Sequence, residues 1–324
     1  MLQEPTKPSS ITPSIRQVDK VPLLILPPKI ESVTLLRTLK PHSGVVENIV
    51  LSIDGRTLVS GGGNGAIKVL AFDTGELKLV LTGHTSSARS LALSTDEQTL
   101  VSGSGDGTIK VWNLPTGELK CTFTGHAWCV NSLALSADGQ TLVSGSYDET
   151  IKVWNLPTGE LKRTFTGHAW CVNSLALSAD GQILVGGSGD ETIKVWNLDT
   201  GELKRTLTGH TSSVLTVALS SDGQILVSGS YDETIKVWNL PTGELKRTLT
   251  GHTCSVNSVA LSADGQTLVS GSSDRTIKIW NLDTGELKRT LTNHTGIVTT
   301  VALGTDGRTL VSGSRDKKIQ VFRA

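Results

Sequence analysis

All seven histidines of this 324-residue chain stand 42 residues apart: His42, His84, His126, His168, His210, His252 and His294. A residue that recurs at one fixed interval with no copy left over belongs to a repeated structural unit, and a period of 40–45 points to propeller blades. Other residues keep the same interval. Trp112, Trp154, Trp196, Trp238 and Trp280 form one series, and Asp106, Asp148, Asp190, Asp232, Asp274 and Asp316 a second. Ser60, Ser102, Ser144, Ser228, Ser270 and Ser312 form a third, in which only Gly186 is out of type. No insertion or deletion breaks the register from residue 42 onward. One such unit cannot bury its faces without neighbours, so the repeats are expected to close into a single domain.

The unit at residues 126–166 reads as four short strands. Residues 130–135 (VNSLAL) alternate and run into SADG, a turn with glycine at its end. Residues 141–144 form a short apolar run ending in the turn GSYD, and residues 150–154 (TIKVW) alternate with period two before NLPTG. Residues 160–166 are charged at Glu160, Lys162 and Arg163. Four strands joined by tight turns make an antiparallel meander. Lys, Arg and Glu discourage a free edge from pairing with another molecule, so the charged segment is expected outermost and VNSLAL innermost, lining a central channel.

Charge is balanced at 30 basic against 30 acidic residues, and the charges repeat with the units. No concentrated basic face is available, which argues against a nucleic-acid partner. The four cysteines (Cys121, Cys129, Cys171, Cys254) form no C-x-x-C pair and imply no disulfide framework, which fits a cytoplasmic, reducing setting. Residues 1–32 lack the repeat and are expected to be a flexible Pro-rich tail; seven of the ten prolines lie at or before Pro41. The run VPLLILPP at 21–28 is too short for a membrane span and sits too far in for a secretory signal, so no membrane partner is expected; it reads as a linker, with a docking segment as the alternative.

The pair Gly125-His126, the aspartate before a strand at Asp148 and the tryptophan at the end of that strand, Trp154, resemble the WD-repeat (WD40) signature, with the usual Trp-Asp written here as Trp-Asn. The pattern recurs in phase over residues 33–324 and most resembles the highly repetitive WD-repeat proteins of bacteria. The resemblance implies an all-β, seven-bladed β-propeller of four-stranded antiparallel blades. Residues 33–39 resemble the outer-strand segment at 203–207 and precede the first histidine, so they are expected to complete the last blade, built from 295–322, and close the ring.

Serine, histidine and aspartate in each unit invite a hydrolase reading. A catalytic site has no reason to recur in blade after blade, however, and the resemblance implies a structural chain in which Trp donates to Ser, Ser to His and His to Asp. Four sets are complete: His84/Ser102/Asp106/Trp112, His126/Ser144/Asp148/Trp154, His210/Ser228/Asp232/Trp238 and His252/Ser270/Asp274/Trp280. Three are expected to be incomplete, with Asn64 and Leu70 in the first blade, Gly186 in the fourth and Phe322 in the seventh. The ring is expected to open most easily where the first and seventh blades meet.

Once these residues are set aside, four of the thirteen aromatics have no part in the frame: Trp128, Trp170, Tyr147 and Tyr231. In the family, the offsets they occupy open on the narrower face around the channel mouth. Positions aligned with the tryptophan offset hold Ser86, Ser212, Cys254 and Gly296, and such variation suits a surface better than a packed core. The family's interaction positions map onto Arg89, Asn131, Asn173, Leu215, Asn257 and Arg315 beside those aromatics. Rigid aromatic anchors on a fixed scaffold suit a protein or peptide partner. The leading expectation is a non-catalytic interaction scaffold. The alternative is a regulatory or sensor propeller of a bacterial signalling system, associated with a kinase or NTPase. An enzyme ranks third, since no unique acid–base or metal cluster remains and no cofactor is implied.

Overall fold

In the third unit, Val130–Leu135 pairs antiparallel with Thr141–Ser146, which pairs with Ile151–Asn155, which pairs with Leu161–Phe165. The alternation read from the sequence thus becomes a four-stranded sheet, with the innermost strand first. The second strand is buried almost from end to end, because neighbouring sheets cover both of its faces. The outer strand exposes Leu161, Lys162, Arg163 and Thr164 and buries only Phe165. This is the expected charged edge.

The computed structural model describes residues 30–324. Among them, 28 strands form seven such sheets arranged as the blades of a propeller. The hydrophobic core lies between consecutive sheets. Val101, Ile109, Val111 and Phe123 of blade 2, for instance, pack on Val130, Leu133, Leu142, Trp154 and Leu156 of blade 3. Close sheet contact explains the glycine that follows each second-strand serine. A methyl group on Gly145 would lie 2.7 Å from Cγ1 of Val172 in the next blade.

The last blade is composite. Thr34–Leu39 pairs with Ile319–Arg323, so a strand from before the first repeat supplies the outer strand of the seventh. Ile30 and Val33 are buried with Phe322 against Ile277, Ile279 and Leu291 of blade 6. Ile30–Ser32, just ahead of residue 33, forms a short 3-10 turn that seats Ile30 in this core. Ile30 sits nine residues before Leu39, as Leu282 sits nine before Leu291, so the strand enters in the register of a regular blade. The rest of the Pro-rich stretch, VPLLILPP included, lies outside the described residues. On the other side, Arg37 donates to the Phe72 carbonyl at 3.0 Å and Thr299 Oγ1 to the Val46 carbonyl at 2.6 Å, tying blade 7 to blade 1. Among the described residues, no helix is long and apolar enough to cross a membrane.

Candidate functional site

The repeated polar residues meet as a closed chain. In blade 3, Trp154 Nε1 donates to Ser144 Oγ at 2.9 Å, Ser144 lies 2.7 Å from His126 Nε2, and His126 Nδ1 lies 2.8 Å from Asp148 Oδ2. An indole donating to the serine leaves the hydroxyl proton for Nε2, which places the imidazole proton on Nδ1, facing the carboxylate. Blades 2, 5 and 6 repeat the chain through His84/Ser102/Asp106/Trp112, His210/Ser228/Asp232/Trp238 and His252/Ser270/Asp274/Trp280, with every link between 2.7 and 3.0 Å. Each of these serines is fully buried. None has a face open to a substrate, and each hydroxyl is already engaged at both ends.

Three blades depart, in unequal ways. Blade 7 lacks the indole, yet His294 keeps both Ser312 at 2.8 Å and Asp316 at 2.9 Å. In blade 1, His42 keeps Ser60 at 2.9 Å, but Asn64 turns its Oδ1 to the Ala66 amide, and His42 Nδ1 is buried without a partner. In blade 4, His168 keeps Asp190 at 2.8 Å while Nε2, which faces Gly186, has no partner. The His168 and Trp196 rings have closed to 5.4 Å, against 6.2–6.4 Å in the complete blades. Gly186→Ser should restore the missing link. Its Cβ would meet Ile151, His168 and Trp196 at 3.1–3.2 Å, so the indole must return to its place in the other blades. A gain of about 1–2 kcal/mol from the hydroxyl's new bonds is expected, read as a higher urea midpoint at unchanged m-value.

The same groups set the pH response. Burial, and then the Lys68 charge, push His42 down to about 4, although its bond to Ser60 opposes the shift. Burial likewise lowers His84, His210 and His294 against the pull of their aspartates. Burial alone would raise Asp106 and Asp232. Hydrogen bonds, led by those from Thr108 and Thr234, outweigh it and hold both carboxyls at about 2. A histidine kept neutral in the fold takes up its proton more readily when unfolded, and so does a carboxylate held ionised. Both therefore cost stability as pH falls. The urea midpoint should decline from about pH 6.5 toward 4 as the histidines titrate, and decline again as pH approaches 2.

The aromatics outside the frame lie elsewhere. Trp128 is 67% exposed, Trp170 61%, Tyr231 57% and Tyr147 40%. Trp128, Tyr147 and Trp170 line one cleft of about 730 Å³ between blades 3 and 4, together with Cys129, Glu149 and Cys171. The frame holds its walls. Ser146 Oγ donates to the Trp128 carbonyl at 3.2 Å and Ser188 Oγ to the Trp170 carbonyl at 3.1 Å, while the Tyr147 amide donates to the Cys129 carbonyl at 3.0 Å. Trp170 lies over Gly189, where a side chain would displace it. Tyr231 occupies the matching turn of blade 5, where the tryptophan offset holds Ser212, so it stands apart from the cleft.

The other expected partner residues divide by position. Each inner strand carries a β-bulge, and the residue at the register shift is Arg89, Asn131, Asn173, Leu215 or Asn257, with Glu47 and Thr299 completing the ring. Bulges re-aim a side chain, and here three of them aim an amide at the next blade. Asn131, Asn173 and Asn257 donate to the carbonyls of Val172, Val214 and Val298 at 3.3, 2.9 and 2.9 Å. Their donors thus serve inter-blade contact. Arg89 hydrogen-bonds Asn131 Oδ1 at 3.0 Å and stands 5.3 Å over the Tyr147 ring. Leu215 is half-buried and Arg315 exposed.

One class of rim residue is not evident from residue type. Glu149, Glu191, Glu233, Arg275 and Lys317 follow the turn aspartate and have φ of 68–71°, a region that favours glycine. The sequence signal for it lies in blades 1 and 2, where Gly65 and Gly107 hold the same place. All five side chains are exposed. Among the described residues, no group of three or more His, Cys, Asp or Glu side chains is placed to hold a metal ion.

Comparison with known proteins bears on the frame. The family model described as WD domain, G-beta repeat matches residues 33–69, 75–113, 117–155, 159–197, 201–239, 243–281 and 285–323. No individual curated protein matches the chain.

Proposed function

The chain belongs to the WD40 family, whose propellers typically serve as protein-interaction scaffolds, and from that footing we propose that it is a non-catalytic platform that docks a protein or peptide on the face carrying Trp128, Tyr147 and Trp170. The observation that carries this reading is the cleft itself. Two tryptophans and a tyrosine stand exposed around one depression, where the first two blades carry Gly44, Gly63, Ser86 and Gly105 at the same offsets. Large rigid side chains with a polar tip are the usual anchors of a binding surface, and a partner that covers them removes their apolar area from water. The serine–histidine sets take no part in chemistry on this reading, since each serine is buried and, in the four complete blades, every link of the chain is internally satisfied.

The test compares captured proteins on immobilised wild type and on a Trp128→Ala/Trp170→Ala/Tyr231→Ala variant. Proteins retained by the wild type should be lost from the variant. Equal capture by both would remove the aromatic face from consideration. Ser86, Ser212 and Gly296 at the tryptophan offset, and Gly105 and Ser273 at the tyrosine offset, indicate that the frame tolerates small residues there.

A further inference from the structure

Trp128, Tyr147 and Trp170 supply aromatic walls to the cleft between blades 3 and 4, and Glu149 supplies a carboxylate to the same lining. The neighbouring Asp148 is consumed by His126 and by the Ala127 and Thr150 amides. No ion pair among the described residues engages Glu149. Burial raises the Cys171 thiol against hydrogen bonds to the Gly189 and Cys171 backbone, and the Asp190 and Glu149 charges add to the rise. Aromatic faces attract cations, and a free carboxylate beside them adds a charge partner. The wider rim has the same sense. Glu149, Glu191 and Glu233 stand exposed at one turn position on blades 3, 4 and 5, whereas blades 6 and 7 carry Arg275 and Lys317 there and blade 7 adds Arg315. The face is therefore acidic and aromatic on one side and basic on the other.

We propose that this cleft receives a lysine or arginine side chain of a peptide segment, flanked by apolar residues, with the cation held between the aromatic rings and Glu149. The proposal rests on the docking function above and adds the chemistry of the occupant. The Tyr147 ring already pairs with such a group from outside the cleft lining, since the Arg89 guanidinium stands 5.3 Å over it. Arg89 is also a like charge to the incoming cation, so removing it should strengthen binding.

The probe is a phage-displayed library of random dodecapeptides selected on the full chain, with enriched peptides resynthesised and their affinities measured by fluorescence anisotropy. Enriched peptides should share a Lys or Arg next to apolar residues. Replacing that residue by norleucine, or the protein's Glu149 by Lys, should weaken binding about tenfold. Rising salt should weaken it further, and Arg89→Ala should tighten it. Lys317 occupies the equivalent strained turn in blade 7, so Glu149→Lys fits the fold. Peptides that need Trp128 and Trp170 but carry no cation, or that ignore Glu149→Lys, would overturn this inference and leave the docking reading standing. Peptides bound equally by the Trp128→Ala/Trp170→Ala variant, or no enrichment at all, would overturn both. A dimer in sedimentation velocity that Trp128→Ala/Trp170→Ala abolishes would make a second copy of the chain the occupant, and would likewise overturn the peptide proposal.

Discussion

Deleting residues 1–40 is expected to give a chain that aggregates or melts far below the parent. The deletion removes the outer strand of blade 7, Thr34–Leu39, and bares the Ile319–Arg323 edge along its whole length. An unpaired, apolar edge is a template for pairing with another molecule. Ile30, Val33 and the partly buried Leu39 leave the core with it, and Phe322, now 1% exposed, loses its cover. At roughly 1.5–3 kcal/mol for each fully buried side chain, the apolar loss alone comes to about 5 kcal/mol. The Arg37 bond to the Phe72 carbonyl goes as well, so the contact between blades 7 and 1 weakens from both sides. Light scattering on a sizing column and a thermal melt would read the result, with a deletion of 1–29 as the control that keeps the strand. A monomer with an unchanged melting temperature would show that the ring does not depend on this closure.

That closure is legible in the residues alone, because Val33–Leu39 resembles an outer strand and lies ahead of the first histidine. Repetition makes the frame easy to read: a residue that recurs seven times in phase has the same neighbours seven times. The particulars of single blades are harder. The loss of Trp from blade 7 suggests a broken network, yet Ser312 and Asp316 still hold His294, since the serine needs only the imidazole to fix its proton. The roles of Asn131, Asn173 and Asn257 depend on a bulge, which is a matter of strand register and leaves no mark in residue type. The gathering of Trp128, Tyr147 and Trp170 follows from the ring order, because blades 3 and 4 are neighbours. The isolation of Tyr231 follows from a serine at residue 212. The exposed carboxylate of Glu149 needs backbone geometry, and the glycines at 65 and 107 are its only trace in the sequence.

Asp148→Ala is expected to damage both the frame and the cleft, which makes it the sharpest test of how one supports the other. The carboxylate accepts four bonds: from His126 Nδ1 at 2.8 Å, the Ala127 amide at 2.9 Å, the Thr150 amide at 3.0 Å and the Thr150 hydroxyl at 2.6 Å. Truncation strands several of those donors in a half-buried site at about 1–3 kcal/mol each, so a loss of roughly 3–5 kcal/mol is expected in urea unfolding. Blade 1 shows that the fold survives one such vacancy, since Asn64 leaves His42 Nδ1 without a partner. The bond to the Ala127 amide also pins the turn that carries Trp128. Peptide binding should therefore fall along with stability, even under conditions where the variant is fully folded. Asp274→Ala in blade 6 supplies the contrast. It breaks the same bonds, to His252 and the Thr253 and Thr276 amides, but its turn carries Cys254 in place of tryptophan. It should lose the same stability and keep its peptide affinity. If both variants lose binding equally, the cleft owes its shape to the ring as a whole; if neither does, Trp128 is not positioned by the frame.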